Sequence, residues 1–388
     1  MKKNLREALV IYLIALLQGM TFSTIPSASQ FICAPGGLNL GIANYGLIFI
    51  PMVIGAIVAS FLSAGLCKTV GLKKILILSL ISNVLGLSLF ASASFFKVAL
   101  FPCFLMLMTF LGLGFGGMIS SLNPLIFYYF PTAASSAITA LHAFLGIGTA
   151  LGPLLFTFSL RIGFWQLDPL IMIILFFAFG WIGHKVIDDS YALSEKISKS
   201  PLTKFFLFFA FIAVIYGFIE TAFGNWGIIY LFKEKSFSYV EASIALSIFW
   251  FSVTAGRLVA AFVTLKIGSS WIYRSLPIIL AFSLIFMHEV TTPFLLYLVF
   301  ATAGIGCSCF LPLTISLAST RYQACASKVS GILIALYMSG YAIASEGFAM
   351  LQKEYGLSIG SLFFLSIIPV TLLVYMNSVV TIKKSKDL

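Results

Sequence analysis

Twelve apolar runs, each long enough to cross a bilayer, follow one another through this chain with short polar joins between them. A membrane-crossing helix needs about 20 predominantly apolar residues. Runs of that kind fall at 8–32, 43–66, 75–95, 98–123, 134–160 and 166–184, then at 203–231, 240–265, 272–288, 292–317, 328–350 and 357–381. They predict an all-α membrane protein of twelve transmembrane helices in two pseudo-symmetric six-helix bundles. Of 388 residues, 61% are hydrophobic and 9% charged, against about 25% charged in soluble domains, which leaves no soluble reading. The run after MKKNLREA is longer than a signal-peptide core and further spans follow it, so it is read as the first helix.

The longest hydrophilic segment, 185–202, divides the spans six and six. The predicted organisation is a bundle at 1–184, a linker at 185–202 and a bundle at 203–388. The net charge of +11 reports topology rather than nucleic acid, because the basic residues are spread among the joins. Seventeen of the 23 Lys and Arg residues fall on the side of the N-terminus and five on the other side, with Arg257 left inside a span. Basic loops stay in the cytoplasm. This predicts a multi-pass protein of the inner (plasma) membrane with both termini and the linker cytoplasmic.

The halves echo one another. Gly112 and Gly114 in the fourth span match Gly304 and Gly306 in the tenth, and Gly148 matches Gly340, all at an offset of 192. ALLQGMTF in the first span lies over AVIYGFIE in the seventh, with Gly19 on Gly217, and Glu220 then takes the place of Phe22. A repeated half with a long cytoplasmic connection is how many secondary transporters are built.

No acidic residue lies between Glu7 and Asp168, whereas the second half places Glu220, Glu346 and one fixed cation, Arg257, inside spans. A charge near the bilayer centre costs roughly 2.5–3.5 kcal/mol on insertion scales. Such groups are therefore paired, neutralised or placed in a wet, protein-lined environment. Glu220 reads as a protonatable or substrate-binding acid with Arg257 as its partner; a static ion pair locking two helices is the alternative. Glu346 is either a functional acid or a group reaching the interface. His142 is either a packing residue or a proton shuttle.

At 100° per residue, Tyr216, Glu220, Phe223, Gly227 and Tyr230 share one face of the seventh span, with Trp226 at its edge. Asn225 lies on the other side unless the flanking Gly224 and Gly227 allow an unwound turn. An aromatic face bearing acid and amide groups suits a sugar ring or a cationic amphiphile, and is otherwise a packing stripe. Six cysteines (33, 67, 103, 307, 309 and 325) read as small buried hydrophobes rather than a disulfide framework or metal ligands. No nucleophile with a paired base and no phosphate loop occurs, so neither enzyme chemistry nor a cofactor is expected.

Twelve spans, a 6+6 split and the hairpin GLCKTVGLKK (65–74) resemble the major facilitator superfamily. The hairpin resembles that superfamily's gating loop at Gly65, Leu66, Gly71, Lys73 and Lys74, and departs from it at Lys68, where an acid is usual. Within the superfamily, the likeness runs to the fucose–galactose–glucose:proton symporters. It rests on Gly112-x-Gly114 leading to Asn123-Pro124, on HAFLGIGTALGP (142–153), on the Tyr-Gly-x-x-Glu pattern at 216–220 and on FWFSVTAGR (249–257). Those symporters carry acids in their first and fourth helices. This chain has none there, so any coupling acid has moved to the second half. The resemblance implies that spans 1, 4, 7 and 10 line a cavity, which makes Gln18, Asn123 and Asn225 candidate substrate groups; interhelical bonding is the alternative. Gly148-x-x-x-Gly152-Pro153 resembles part of the superfamily's antiporter signature.

The expectation is a monomeric secondary transporter of a small polar solute, a sugar or similar metabolite, coupled to protons or another ion. A drug or metabolite exporter is the second reading, and a non-transporting receptor built on the same fold the third.

Overall fold

The structure, a computed structural model, describes residues 5–67, 69–96, 98–130, 134–188, 203, 205–267, 269–322 and 326–386. Lys68 of the hairpin and residues 189–202 of the linker lie outside these. The described residues form helices and turns, with no strand.

The spans are α1 (Leu5–Ser27), α2 (Phe49–Leu66, after a short helix at Ile42–Leu47), α3 (Leu72–Ala91), α4 (Leu100–Tyr129), α5 (Ala134–Arg161) and α6 (Leu167–Val186). They continue as α7 (Phe206–Glu234), α8 (Tyr239–Ile267) and α9 (Ser269–Glu289). Then come α10 in two segments (Pro293–Ser308 and Phe310–Arg321), α11 (Ala326–Tyr355) and α12 in two segments (Ile359–Leu365 and Ile367–Lys386). All twelve are long and apolar enough to cross a membrane. In lipid a helix is the natural choice, because it satisfies the backbone polar groups within one segment.

The chain forms two compact units, Met1–Glu195 and Lys196–Leu388. In the first, α1 packs chiefly on α5, α2 and α3 on α4, and α6 on α3 and α1. The second repeats the scheme: α7 on α11, α8 and α9 on α10, and α12 on α9 and α7.

Reciprocal glycines set the closest of these approaches. A Cβ on Gly19 would strike the Leu145 carbonyl of α5, and one on Gly148 the Leu16 carbonyl of α1. In the second unit Gly217 meets the Tyr337 carbonyl of α11 and Gly340 the Val214 carbonyl of α7. Leu16 and Val214 differ by 198 and Leu145 and Tyr337 by 192, the same offsets that relate the glycines. Lipid tails are as apolar as the side chains, so helix association rests on close van der Waals packing, which small residues permit. The repeat legible in the sequence is thus a repeat of helix contacts.

Of the hairpin residues, Gly65 belongs to α2, and Lys73 and Lys74 lie in the first turn of α3. Gly71 stands before α3 with φ +90°, a conformation open to glycine and strained for other residues.

Candidate functional site

Glu220, midway along α7, is the centre of a network drawn from four helices of the second unit. Its side chain belongs to α7 and the residue is 3% exposed. Tyr216, one turn earlier on the same helix, donates its hydroxyl to Oε1 at 2.8 Å. Tyr337 of α11 donates to Oε2. Arg257 of α8 brings Nη2 to 4.0 Å from Oε1.

Two unit charges 4 Å apart attract by about 4 kcal/mol at an effective dielectric constant near 20. Burying an ion costs several kcal/mol, so the pair alone does not settle the carboxylate. Each hydrogen bond to a charged group adds about 1.5–3 kcal/mol, and the two phenols supply those.

The break in α10 completes the network, and its cause is readable from the sequence. In an α-helix the carbonyl of Ser308 would accept from residue 312, but Pro312 has no N–H. The helix is interrupted at Cys309, and Arg257 Nε donates to the freed Ser308 carbonyl at 2.8 Å. The hydroxyl of Tyr216 also lies 2.8 Å from the Cys307 carbonyl. Phe310, the first residue after the break, stacks on Tyr216 with centroids 5.3 Å apart. The guanidinium is thus held between α7 and the α10 break, with 28% of its side chain exposed.

The remaining residues marked in the sequence fall into distinct places. α7 runs unbroken from Phe206 to Glu234, so the unwound turn at Gly224 and Gly227 does not form. Gly224 instead receives Trp250 of α8, and Gly227 receives Phe300 of α10. Asn225 accordingly stays on the α11 side, donating to Ser345 Oγ at 2.8 Å and accepting from the Tyr341 hydroxyl at 3.0 Å. Trp226 packs on Phe348, with ring centroids 5.8 Å apart. Tyr230 donates to the Met287 carbonyl of α9 at 2.8 Å. Phe223 sits among Phe249, Phe300 and Phe363. The aromatic face of α7 is therefore part of the interior of its own unit.

Glu346 lies on α11 nine residues beyond Tyr337, about 13 Å along the helix at 1.5 Å per residue, and its Oε2 is buried without a hydrogen-bond partner. The structure therefore does not join it to Arg257.

In the first unit, Gln18 is buried and accepts from Asn83 of α3 at 2.7 Å. The hydroxyls of Thr21 and Thr24 bond back to the carbonyls of Leu17 and Met20. Asn123 is half-buried on α4 with Oδ1 unbonded, and His142 is half-buried on α5. At the position related to Glu220, Phe22 packs on Phe115 at 5.3 Å. The acid site has an apolar counterpart in the first unit.

Tyr337 and the Ser308 carbonyl were not singled out in the sequence, although signals for both were present. The Gly148–Gly340 correspondence sets α11 against α7, and Tyr337 stands three residues before Gly340. Pro312 marks the carbonyl four residues earlier.

Twelve spans in two matched six-helix units, with a partnered acid buried in the seventh, define a membrane carrier. The chain belongs to the Major Facilitator Superfamily, whose family model matches residues 9–345. It is therefore a multi-pass membrane transporter of a small-molecule substrate and not an enzyme.

Among solved structures it is similar to the nucleoside transporter NupG, at 15% identity and a TM-score of 0.79, over 96% of this chain and 99% of that one. A POT family transporter in complex with 5-aminolevulinic acid is similar at 13% identity and a TM-score of 0.79, over 98% and 96%. A bacterial homolog to the human lysosomal transporter Spinster, inward-facing and occupied, is similar at 15% identity and a TM-score of 0.70, over 96% and 94%. No curated protein matches the chain. At these identities the structural likenesses establish the fold.

Proposed function

We propose that this protein moves a small polar solute, a sugar or similar metabolite, across the inner membrane by alternating access, coupled to protons, with Glu220 as the coupling acid. The observation that carries the reading is the wiring of Glu220. It is buried, both its oxygens are taken by phenols, and its one cation stands at 4.0 Å and is also bound to a backbone carbonyl.

Such a carboxyl has two states to exchange between. Ionised, it is held by the two hydroxyls and Arg257. Protonated, it leaves Arg257 tied to the Ser308 carbonyl at the α10 break and free of its counter-charge. Exchange between these states would alter the link among α7, α8 and α10 without unfolding any of them, as a coupling step requires. A static lock would be served better by a close, bidentate pair.

The size class is supported by the similar structures, one named for nucleosides and one holding 5-aminolevulinic acid. The glycines of the antiporter-like motif are accounted for by packing: Gly148 faces the Leu16 carbonyl and Gly152 the Ser23 side chain. Export therefore has no observation of its own. The cytoplasmic placement of both termini rests on the loop charges, and the units 1–184 and 203–388 are read as the two halves of the carrier.

The test begins with thermal shift of the purified protein against sugars, nucleosides, amino acids, carboxylates and lipophilic cations, because a ligand selective for the native state stabilises it by mass action. Flux of the best ligand is then followed in proteoliposomes with and without a pH gradient. A polar solute accumulated by the gradient in wild type, and only equilibrated by Glu220→Gln, is the expected result. Gradient-driven accumulation that survives Glu220→Gln removes the acid from coupling. Stabilisation by lipophilic cations alone removes the polar-solute reading.

A further inference from the structure

Among the described residues, one further buried carboxyl belongs to the first unit. Asp168, the second residue of α6, is 0% exposed, and neither Oδ1 nor Oδ2 has a hydrogen-bond partner. It forms no ion pair with any described residue. Glu220 has two phenols and an arginine; Asp168 has no such partner among the described residues.

Its surroundings follow from the helix contacts. α1 and α3 pack against α6, with a smaller contribution from α5. Asp168 and Met172, four residues apart, share one side of the helix, and Trp165 stands in the turn just before its start. At Met172, the Sδ lies 3.9 Å from the Thr21 hydroxyl and 3.7 Å from that of Thr24, both on α1. At Trp165, the indole packs on Phe31 and Phe90, each at 5.2 Å, and both of those rings also contact Phe156. Asp168 thus stands, along the chain, between the residue of a thioether contact and a member of a four-ring aromatic cluster.

The titratable groups on the helices packed against α6 are few. α1 carries Arg6, Glu7 and Tyr12 in its first two turns, and α3 carries Lys73 and Lys74 at its start, both at the ends away from Asp168. On α5, His142 lies toward its start; Arg161 ends the helix near the Asp168 level and is exposed. α6 itself has His184 and Lys185 in its last turn. Cys33, beyond α1, is the nearest thiol in sequence to Phe31.

A carboxylate in the first turn gains a modest stabilisation from the helix dipole. Burying an unpaired ion costs more than that. The dipole does not cover that difference, so something must neutralise the group. A hard metal cation takes six or more oxygen ligands, whereas Trp165 and Met172 on either side of Asp168 bring an indole and a thioether, and the Thr21 and Thr24 hydroxyls at Met172 are bonded to their own helix. A proton needs no such shell.

We propose that Asp168 is a proton-binding site of the first unit, occupied while α1 and α6 are packed together and shut off from water by the Phe31–Phe90–Phe156–Trp165 cluster. It makes the packing of α1 on α6 dependent on a bound proton. This stands independently of the role given to Glu220.

Infrared spectroscopy of the full-length protein in lipid, labelled with carboxyl-13C aspartate, tests it. The chain has four aspartates, at 168, 188, 189 and 387, and Asp188 is exposed. At neutral pH the C=O stretch of a protonated acid should appear, shift with the label, persist in Glu220→Gln and vanish in Asp168→Asn. It should exchange with deuterium slowly, and faster in Trp165→Ala. The absence of a label-sensitive protonated-acid band overturns the proposal, and so does a band that survives Asp168→Asn. Loss of the band on adding sodium or potassium chloride at constant pH makes the site a cation site instead. Exchange as fast as that of a surface carboxyl refutes the aromatic seal. If Asp168→Asn fails to fold, the isotope shift in the wild type still decides, because it separates aspartate from Glu220.

Discussion

Arg257 reaches to 4.0 Å from Glu220 through Nη2 while its Nε–H is bound to the carbonyl of Ser308. One guanidinium therefore ties α8 both to the acid of α7 and to the carbonyl that Pro312 leaves open in α10. The acid and the helix break form a single structural feature.

Arg257→Met should destabilise the protein more than Glu220→Gln does, because it strands a buried carboxylate. Breaking a fully buried pair costs about 3–5 kcal/mol, and the partial exposure of Arg257 places the loss at or below the low end. The double variant Arg257→Met/Glu220→Gln should recover part of it, as coupled neighbours do in a double-mutant cycle. Thermal denaturation in detergent measures this; a double variant no more stable than Arg257→Met rejects the pair.

Glycines on α11 should separate by position. Gly340→Ala sets a methyl against the Val214 carbonyl and should cost about 1–3 kcal/mol by overpacking. Gly331 and Gly347 have open space around the added atom, so alanine there should be neutral or gain about 0.5–1 kcal/mol. Equal melting temperatures for the three variants would contradict the close α7–α11 approach.

Glu234 caps another helix from a distance. Its Oε1 and Oε2 accept from the amides of Ile359 and Gly360 at 2.6 and 2.8 Å, at the start of α12. Glu234→Ala should lower stability by about 1 kcal/mol, the usual scale for a lost cap. Hydrogen exchange of the peptide covering 356–365 should quicken. Unchanged exchange there would show that the cap does not hold the helix start.

Tyr129, at the end of α4, accepts a hydrogen bond from the Asp188 amide at 2.8 Å, and burial pushes its hydroxyl from 10.0 up to about 12. A group raised on folding contributes stability that is fully present below its ordinary value and is lost as pH rises through the folded one. The stability difference between wild type and Tyr129→Phe should therefore stay flat from neutrality to about pH 10 and shrink only on approach to 12. A difference that changes near neutrality points to another group.

Much of this was legible along the chain. Twelve runs at bilayer length fixed the helices, and the 192 and 198 offsets marked glycines that prove to be reciprocal contacts. Glu220 and Arg257 stood out because charges are rare at that depth. The partners did not stand out. Asn225 and Gln18 read equally well as substrate groups or as interhelical ties, and the structure bonds Asn225 to Tyr341 and Ser345 and Gln18 to Asn83. The two glycines flanking Asn225 left a backbone break open there; the break lies instead three helices on, in front of Pro312. Glycine only permits a break, whereas proline removes a donor and clashes.

The sequence by itself determined that this chain spans a membrane twelve times, in two related halves, with rare acids inside. Those properties are sums over contiguous residues, and a bilayer reads them locally. Only the tertiary structure decided that Tyr337, 117 positions away, would hold Glu220, and that Asp168 would have no partner among the described residues. Both outcomes depend on which side chains of several helices reach one point within hydrogen-bonding distance, and that is set by helix register and packing.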